Sequence, residues 1–325
     1  MINTLITGGT GFLGGHLARR LEAEGHQVRI LAHNTHSVGP ESVGDVSVGD
    51  IRDPGAVEAA VEGMDLVFHT VSNFRKGGSD ERDAYDVNVT GTVNVLKAAK
   101  RHGVRQVIHC STIGVHGDVK EIPADETTPF NPTDLYQETK LAGEREVWRF
   151  HEEYDLPVTV IRPISMFGPG DRRMLKLFRM INSGWVVVVG SGETYFQPAY
   201  IDDVVDGFVI CIDNPKAVGE AFIVGGDEFV TLNTLFSMIA EELGVNLRRI
   251  RLPLKPVLWA ANACESVCSP FGLEPPLHRR RVSFYQNDRA FSVDKAKRVL
   301  GYSPSVSLRE AIRRTIEWYR DNNWL

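Results

Sequence analysis

Tyr136 and Lys140 lie four residues apart in a stretch whose apolar pattern predicts a helix over 135–154. At this spacing the two side chains share one face of the helix. A free tyrosine has a pKa near ~10 and is a poor base at neutral pH. A neighbouring ammonium group favours the phenolate, which brings that pKa closer to the working range. The pair therefore predicts proton transfer at a tyrosine hydroxyl, although a surface tyrosine beside a solvated lysine would have the same spacing.

A glycine-rich loop joins a predicted strand at 3–7 to a predicted helix at 12–24. Gly8 permits a tight turn, Gly11 lets the backbone approach a pyrophosphate, and Gly14 allows the helix to pack closely on the strand. The helix N-terminus offers N–H donors and a partial positive charge to phosphate groups. A glycine triplet alone is weak evidence for a ligand. Its position between the first strand and the first helix of an alternating chain favours a dinucleotide.

The first half of the chain alternates short β-branched runs with longer amphipathic stretches. Further strands are predicted at 27–32, 65–71, 106–111 and 158–161, and further helices at 54–62, 83–102 and 135–154. Alternation at this spacing produces right-handed crossovers, a parallel sheet and helices on both faces. We therefore predict an α/β protein with a Rossmann-type, doubly wound parallel sheet.

A change of pattern after Arg162-Pro163 predicts a second, smaller lobe. Proline and glycine become frequent there, and strands and helices no longer alternate strictly. We expect residues 1–165 to form the dinucleotide-binding domain, with 195–228 returning to it. Residues 166–325 would then form mainly a C-terminal substrate-binding lobe, and a cleft between the lobes would hold the ligand.

The loop Gly8-Gly9-Thr10-Gly11-Phe12-Leu13-Gly14 and the segment Tyr136-Gln137-Glu138-Thr139-Lys140 together resemble the extended short-chain dehydrogenase/reductase superfamily, also described as the NAD-dependent epimerase/dehydratase family. The resemblance covers nearly the whole chain. Further family motifs match at 49–53, 88–92, 162–170 and 200–204. Each motif alone would fit a plain turn or helix cap, but six in the family's order favour membership. The resemblance implies an oxidoreductase that transfers a hydride to or from NADP or NAD.

The resemblance also implies a role for each matched residue. The catalytic residues would be Tyr136, Lys140, Thr112 and Asn88. Thr112 would bind the substrate oxygen, with Ser111 as the alternative for that role. Asn88 would help to order the active site. The cofactor would contact Gly8, Thr10, Gly11, Phe12, Leu13, Gly14, His33, Asn34, Asp50, Ile51, Thr70, Val71, Tyr136, Lys140 and Pro163, with Asp50 on the adenine amino group. The substrate would contact Phe74, Ser165, Met166 and Arg280.

The end of the second predicted strand bears on the choice between NADP and NAD. An enzyme that uses NAD usually places an acidic residue there to hold the ribose hydroxyls. This chain has Ala32-His33-Asn34 at that point and no carboxylate to repel a 2′-phosphate. It also has no arginine there, and His33 is a weak substitute. We expect NADP(H) to be favoured over NAD(H).

Two subfamilies compete for the substrate. Residues 252–282 resemble the 3-beta-hydroxysteroid dehydrogenase and dihydroflavonol reductase group, whereas residues 194–198 and 317–319 look equally like nucleotide-sugar epimerases. We expect the first group, with Val257, Leu258 and Trp259 in an apolar pocket wall. A nucleotide-sugar epimerase or reductase is the alternative. A catalytically silent dinucleotide-binding regulator is a third hypothesis, although such relatives usually lack the tyrosine or the lysine.

One enzyme type within the family is not expected. Sugar-nucleotide 4,6-dehydratases carry an Asp-Glu pair directly after the catalytic threonine, as acid and base for the elimination of water. This chain has Ile113 and Gly114 at those positions, and neither residue can exchange a proton. We therefore expect no 4,6-dehydratase activity.

The composition bears on which other kinds of protein this chain could be. A formal charge of −6 over 325 residues does not favour nucleic acid binding. The four cysteines form no CxxC pair, so no metal site is predicted. No secretion signal is recognisable, and no apolar run reaches the ~20 residues of a membrane span. The nearest candidate, 252–273, would at most touch a membrane surface. We expect a soluble cytoplasmic protein that has a small-molecule substrate and forms a homodimer.

Overall fold

The computed structural model describes residues 1–39, 42–74, 81–268, 282 and 284–325. The strands in these ranges are β1 Asn3–Thr7, β2 Gln27–Ala32, β3 Asp45–Val48, β4 Leu66–His69, β5 Gln106–Cys110, β6 Val158–Pro163, β7 Ser165–Phe167, β8 Trp185–Val189, β9 Tyr195–Phe196, β10 Pro198–Tyr200, β11 Glu220–Val224, β12 Val230–Thr231 and β13 Arg248–Leu252. The helices are α1 Phe12–Ala23, α2 Pro54–Val61, α3 Glu81–Tyr85, α4 Gly91–His102, α5 Leu135–Tyr154, α6 Leu175–Asn182, α7 Ile201–Val209, α8 Leu232–Leu243, α9 Leu254–Cys268, α10 Asp294–Leu300 and α11 Leu308–Asp321.

Seven of the described strands form one parallel sheet in the order β11-β6-β5-β4-β1-β2-β3. β1 lies between β2 and β4. After β1 the chain adds β2 and β3 on one side of this strand, and it then adds β4 on the other side. In open α/β sheets, ligands bind beyond the carboxyl ends of the strands at such a reversal. The loops that follow β1 and β4 therefore meet at the crevice where a dinucleotide would bind. The predicted Rossmann-type fold is confirmed.

Helices cover both faces of the sheet, which explains why its inner strands are apolar on both sides. In β1, Ile6 points to the core beneath α1 and α7, whereas Leu5 points to the core beneath α2, α4 and α5. A third core lies among α6, α8, α11 and β8, and includes Phe178, Phe236 and Tyr319. The division into two lobes at residue 165 stays a prediction, although β11 is an edge strand of the main sheet.

Most predicted elements end within a few residues of the observed ones, with three differences. β3 was not predicted, because its four residues are all at least partly exposed and give little apolar signal. The predicted strand at 65–71 ends at His69. The predicted helix at 83–102 contains a π-helical turn at Asp86–Thr90, which turns Asn88 into the interior. Within the described residues, no helix has the length and apolar character needed to cross a membrane.

Candidate active site

The glycine loop packs backbone against backbone. Gly8 has φ +76°, and the N–H of Gly11 donates to the Gly8 carbonyl at 2.9 Å. A Cβ on Gly14 would lie only 2.2 Å from the same carbonyl oxygen, so a side chain there would force α1 away from the loop. Gly11 precedes α1 and provides no side-chain cap for its first turn. The loop thus leaves the backbone accessible to a phosphate at a helix N-terminus, and fits a dinucleotide.

The loop after β4 closes the other side of this crevice. The Thr70 hydroxyl donates to the Thr7 carbonyl at 2.7 Å, which ties the ends of β4 and β1 together. A Cβ on Gly8 would lie 2.9 Å from the Val71 nitrogen. The Ser72 hydroxyl oxygen is buried here and has no hydrogen-bond partner within the described residues. A polar atom that is buried without a partner is costly, so a bound polar ligand would stabilise it. Sequence reasoning missed Ser72.

A cavity of about 270 Å³ lies at the end of the crevice where the adenosine would bind. It is lined by Thr7, Gly8, Leu31, His33, Gly49, Asp50, Ile51, Arg52, Val71, Ser72, Asn73, Phe74, Asp83 and Val87. This set brings together five predicted cofactor residues from four separate segments: Gly8, His33, Asp50, Ile51 and Val71. Of these, Ile51 is buried and packs against Gly91 at the start of α4.

Charged groups at this end form a small network. The Nε of Arg52 lies 3.0 Å from each carboxylate oxygen of Asp50, and the other side of the guanidinium reaches Asp83 at 2.8 Å. Hydrogen bonds from Arg52 hold the pKa of Asp50 below its usual value. His33 is mostly exposed, and its Nδ1 lies 3.5 Å from Asp50. Sequence reasoning missed Arg52, although it lies two residues after Asp50 in the matched motif.

The other predicted cofactor residues lie in several different surroundings. Asn34 caps a short turn by accepting from the Ser37 N–H at 2.9 Å. Leu13 is buried in the core, so only its backbone faces the loop. Phe12 lies beneath the guanidinium of Arg173. Thr10 lies in the turn of the loop, and Pro163 ends β6.

Helix α5 positions both central residues of the predicted chemistry. Its N-cap, Asp134, accepts from the Gln137 N–H at 2.9 Å, which sets the start of the helix just before Tyr136. Lys140 is buried, and its Nζ donates to the Cys110 carbonyl at 2.6 Å. Burial lowers the pKa of Lys140. Tyr136 is half-buried, and its ring stands edge-on to the Phe74 ring at a centroid distance of 4.7 Å.

Ser111 and Thr112, the two candidates for binding the substrate oxygen, follow β5 and have different surroundings. The Ser111 hydroxyl donates to a carboxylate oxygen of Glu144 at 2.5 Å in the protein interior. The Thr112 side chain is partly exposed and accepts from the Gly114 N–H at 3.1 Å, starting the turn Ile113–His116. Of the two hydroxyls, only that of Thr112 is both partly exposed and without a buried carboxylate as its partner. This geometry favours Thr112 over Ser111.

Glu144 and Arg162 form a buried ion pair one helical turn beyond Lys140. Their nearest atoms, Oε1 and Nη2, are 2.5 Å apart. Burial by itself raises the pKa of Glu144, but hydrogen bonds and charge from Arg162, with bonds from Ser111 and Trp148, hold it below its usual value. Arg162 also contacts His116, at 3.3 Å. The pair thus joins β5, α5, β6 and the loop after Thr112, and sequence reasoning did not find Glu144.

Asn88 is the centre of a second buried network. Its Oδ1 accepts from the Asn73 N–H at 2.8 Å, and its Nδ2 donates to the Thr139 hydroxyl at 2.9 Å. Its carbonyl accepts from the Thr92 hydroxyl, which also bonds His69 at 2.9 Å. Asn88 therefore ties the loop after β4 to the turn of α5 that carries Tyr136 and Lys140.

The predicted substrate residues are only partly brought together. Ser165 and Met166 lie on β7, which pairs with β10, and Phe74 lies against Tyr136. Arg280 lies outside the described residues. The expectation that Trp259 lines a pocket wall is wrong, because α9 turns this side chain outward and leaves it 75% exposed. Val257 and Leu258 are half-buried and pack against Val189 and Ala261.

The positions that carry acids in 4,6-dehydratases are poor places for proton transfer in this chain. Ile113 is buried, and a Cβ on Gly114 would lie 3.2 Å from the Gln137 side chain. The acids in the following loop are engaged elsewhere. Glu126 accepts from the Ile223 N–H at 2.8 Å, and Asp125 accepts from the Thr127 hydroxyl. Across the described ranges, no group of three potential metal ligands comes together.

The fold and the site together define a class of protein: an enzyme that binds a nicotinamide dinucleotide and has a tyrosine–lysine pair at the carboxyl edge of a parallel sheet. Residues 4–225 match the model of the NAD dependent epimerase/dehydratase family, and the chain belongs to this family. The predictions of family, of an enzyme and of NAD or NADP as cofactor are confirmed.

Similar proteins include both substrate groups that the sequence left open. A 3 beta-hydroxysteroid dehydrogenase/Delta 5-->4-isomerase of Mycobacterium tuberculosis is 30% identical over 331 residues, covering 97% of this chain and 90% of the relative. A UDP-glucose 4-epimerase of Mycolicibacterium smegmatis is 29% identical over 340 residues, covering 99% and 100%. The crystal structure of gox2253 superposes with a TM-score of 0.83 at 30% identity, covering 100% of both chains.

Proposed function

We propose that this enzyme transfers a hydride between NADP or NAD and an apolar secondary alcohol or ketone of the sterol type. The observation that carries the proposal is the Phe74 ring, which stands edge-on to the Tyr136 ring at 4.7 Å. It gives the proton-exchanging residue an apolar aromatic neighbour, which suits a hydrocarbon skeleton better than a hydroxylated sugar. The similarity to the mycobacterial 3 beta-hydroxysteroid dehydrogenase supports the same substrate class.

The nicotinamide, when bound, supplies the hydride acceptor or donor. In the oxidative direction the substrate hydroxyl would pass its proton to the Oη of Tyr136 as the carbinol carbon gives up its hydride and the C=O bond forms. Lys140 lies one helical turn away, and its positive charge favours the tyrosinate that accepts this proton. Its bond to the Cys110 carbonyl holds the ammonium in place. The Thr112 hydroxyl would orient the substrate oxygen.

Two further residues would act as positioning residues. Asn88 holds the loop that carries Asn73 and Phe74 against the first turns of α5. Glu144 holds Ser111, and thereby sets the position of Thr112 at the end of β5. Neither side chain would touch the reacting atoms. Their contribution would be to keep Tyr136 and Thr112 at a constant separation, which matters because small displacements of reacting groups are costly in rate.

For the cofactor we infer a preference for NADP(H). His33 provides no negative charge where a 2′-phosphate would lie, and the Arg52 guanidinium, which is paired with Asp50 and Asp83, lies in the same cavity. The carboxylate of Asp50 is held by that guanidinium, which reduces its repulsion of a phosphate. The adenine amino group would still reach Asp50, because a carboxylate can accept several hydrogen bonds.

A nucleotide-sugar epimerase is the second candidate. It is favoured by the full-length similarity to the UDP-glucose 4-epimerase. The same tyrosine and lysine would serve, but the substrate diphosphate would need cationic partners. Near the predicted substrate residues, Arg173 donates to the Met166 carbonyl at 2.8 Å and to the buried carboxylate of Asp171. Arg173 is thus already engaged, which leaves less positive charge for a diphosphate.

A direct comparison of substrates tests the proposal. The purified enzyme would receive NADP⁺ or NAD⁺ with a 3β-hydroxysteroid or, separately, with UDP-galactose. Formation of reduced nicotinamide with the steroid, abolished in Tyr136→Phe, is the expected result. Conversion of UDP-galactose to UDP-glucose without steroid oxidation would refute the proposal in favour of the epimerase. A chain that binds the cofactor but turns over neither substrate would favour the silent regulator.

A further inference from the structure

Helix α9 has apolar residues on both its inner and its outer side. On the inner side, Leu254, Val257, Leu258 and Ala261 pack with Val187 and Val189 of β8. On the outer side, Trp259 and Val267 are 75% and 65% exposed. Lys255, Ala263 and Ser266 are exposed on the same side. The water-facing side of a helix on a globular protein normally carries charged and polar residues. A tryptophan and a valine held in water therefore suggest that something covers this side.

Strand β13 extends the same surface. Its Ile250 and Leu252 pair in register with Val187 and Val189, the residues on which α9 packs. Side chains two apart in a strand share one face of the sheet, so Arg248, Ile250 and Leu252 lie on the face that carries α9. Ile250 and Leu252 are both exposed. Trp185, in register with Arg248, is exposed too.

We name this surface the α9 face and define it by Trp185, Arg248, Ile250, Leu252, Lys255, Trp259 and Val267. Its charge is one-sided. Its two charged residues, Arg248 and Lys255, are both basic, in a chain whose net charge is −6. Both side chains are exposed, and among the described residues neither forms an ion pair. Arg249, by contrast, points to the other face of β13 and donates to the Ser237 hydroxyl at 2.6 Å.

Exposed tryptophan and aliphatic side chains next to unpaired cations match the interface of a bilayer that contains anionic lipids. Tryptophan prefers the headgroup level because its ring is apolar and its N–H is polar. Cations beside it gain from the negative surface potential. A second copy of this chain is a poorer match, because pairing the α9 face with itself would bring like charges together.

We propose that the α9 face docks on the surface of anionic membranes, with α9 lying in the plane of the interface and Trp259 among the headgroups. No part of the chain needs to cross the bilayer for this contact. The inference does not depend on the substrate. If the enzyme does act on sterol-like molecules, which partition into bilayers, docking would bring the enzyme to its substrate.

The test is sedimentation of the full-length protein with vesicles, without cofactor or substrate. We expect binding to vesicles of phosphatidylcholine and phosphatidylserine, weak binding to phosphatidylcholine alone, and weaker binding as salt increases. Lys255→Gln should weaken binding about fivefold, the worth of one cation near such a surface. Lys97→Gln, an exposed lysine on α4, is the matched control and should not change it.

Trp259 provides an independent readout. Its fluorescence should shift to shorter wavelength when anionic vesicles are added, and Trp259→Ser should abolish the shift and weaken binding at least tenfold. Tyr154→Ser, which removes an exposed aromatic residue from the end of α5, is the control and should bind normally. Because Trp259 is exposed, its loss should leave the melting temperature unchanged, and a melting curve would verify this.

Two results would overturn the proposal. The first is a wild-type protein that stays in the supernatant with phosphatidylserine vesicles at low salt. The second is a Trp259→Ser variant that binds as wild type does, or that only dissociates a dimer in light scattering. The last outcome would make the α9 face a contact between copies of the chain. None of these measurements depends on turnover, so a failed substrate assay would be a separate result.

Discussion

The buried ion pair between Glu144 and Arg162 allows a quantitative prediction about stability. The two side chains are 1% and 3% exposed, and their nearest atoms are 2.5 Å apart. Glu144→Gln keeps the shape of the side chain but leaves the Arg162 guanidinium buried without a charge partner. Breaking a buried pair from one side costs about 3–5 kcal/mol. We expect the free energy of unfolding to fall by that amount.

The corresponding change in melting temperature follows from the size of the chain. An unfolding entropy of about 2.1 cal/mol/K per residue gives roughly 0.7 kcal/mol/K for 325 residues. A loss of about 3–5 kcal/mol should therefore lower the melting temperature by about 4–7 °C, measured by calorimetry. Glu152→Gln is the matched control, because Glu152 is an exposed residue of the same helix and should contribute under about 0.5 kcal/mol.

Acid should reduce the difference between the wild type and Glu144→Gln. The pKa of Glu144 is held below its usual value in the folded protein, so the carboxylate stabilises the fold at neutral pH. This stabilisation is lost as the pH falls through the folded pKa, because the proton then binds in the folded state as well. A melting temperature within about 1 °C of the wild type at neutral pH would refute the reasoning. So would a double variant Glu144→Gln/Arg162→Met that loses as much as the two single variants together.

Three further predictions concern the chemistry. Tyr136→Phe should abolish turnover with little loss of cofactor affinity by fluorescence titration, whereas Lys140→Met should damage both; near wild-type turnover in Tyr136→Phe would remove the tyrosine from the mechanism. NADPH should bind at least as tightly as NADH, and His33→Asp should reverse that order; a strong preference of the wild type for NADH would contradict the inference. Incubation with TDP-glucose should give no 4-keto-6-deoxy product, because Ile113 and Gly114 cannot exchange protons, and such a product would require an acid from elsewhere in the chain.

The features that the sequence predicted are those that local pattern controls. The alternation of strands and helices follows from side-chain periodicity, which depends on the backbone geometry of each element alone. The pairing of Tyr136 with Lys140 needs only a helix and a spacing of four. The need for glycine at position 14 depends on contacts within the seven residues 8–14, so the motif already implies it.

Tertiary structure decided what depends on distances between separate elements. Ser111 and Thr112 are adjacent and chemically alike, and only the packing of α5 on β5 placed Glu144 beside Ser111. Nothing local marks Glu144 and Arg162 as partners, because 18 residues separate them in the chain.

The same distinction explains the wrong expectation about Trp259. Its apolar side chain suggested a pocket wall, but the direction in which it points was set by the face of α9 that packs on β8. Apolar residues occur on both faces of this helix, so the sequence alone allowed either orientation. Burial of one face requires a partner surface, and that surface includes Val187 and Val189 of β8, more than 60 residues earlier in the chain. Only the folded chain contains this relation.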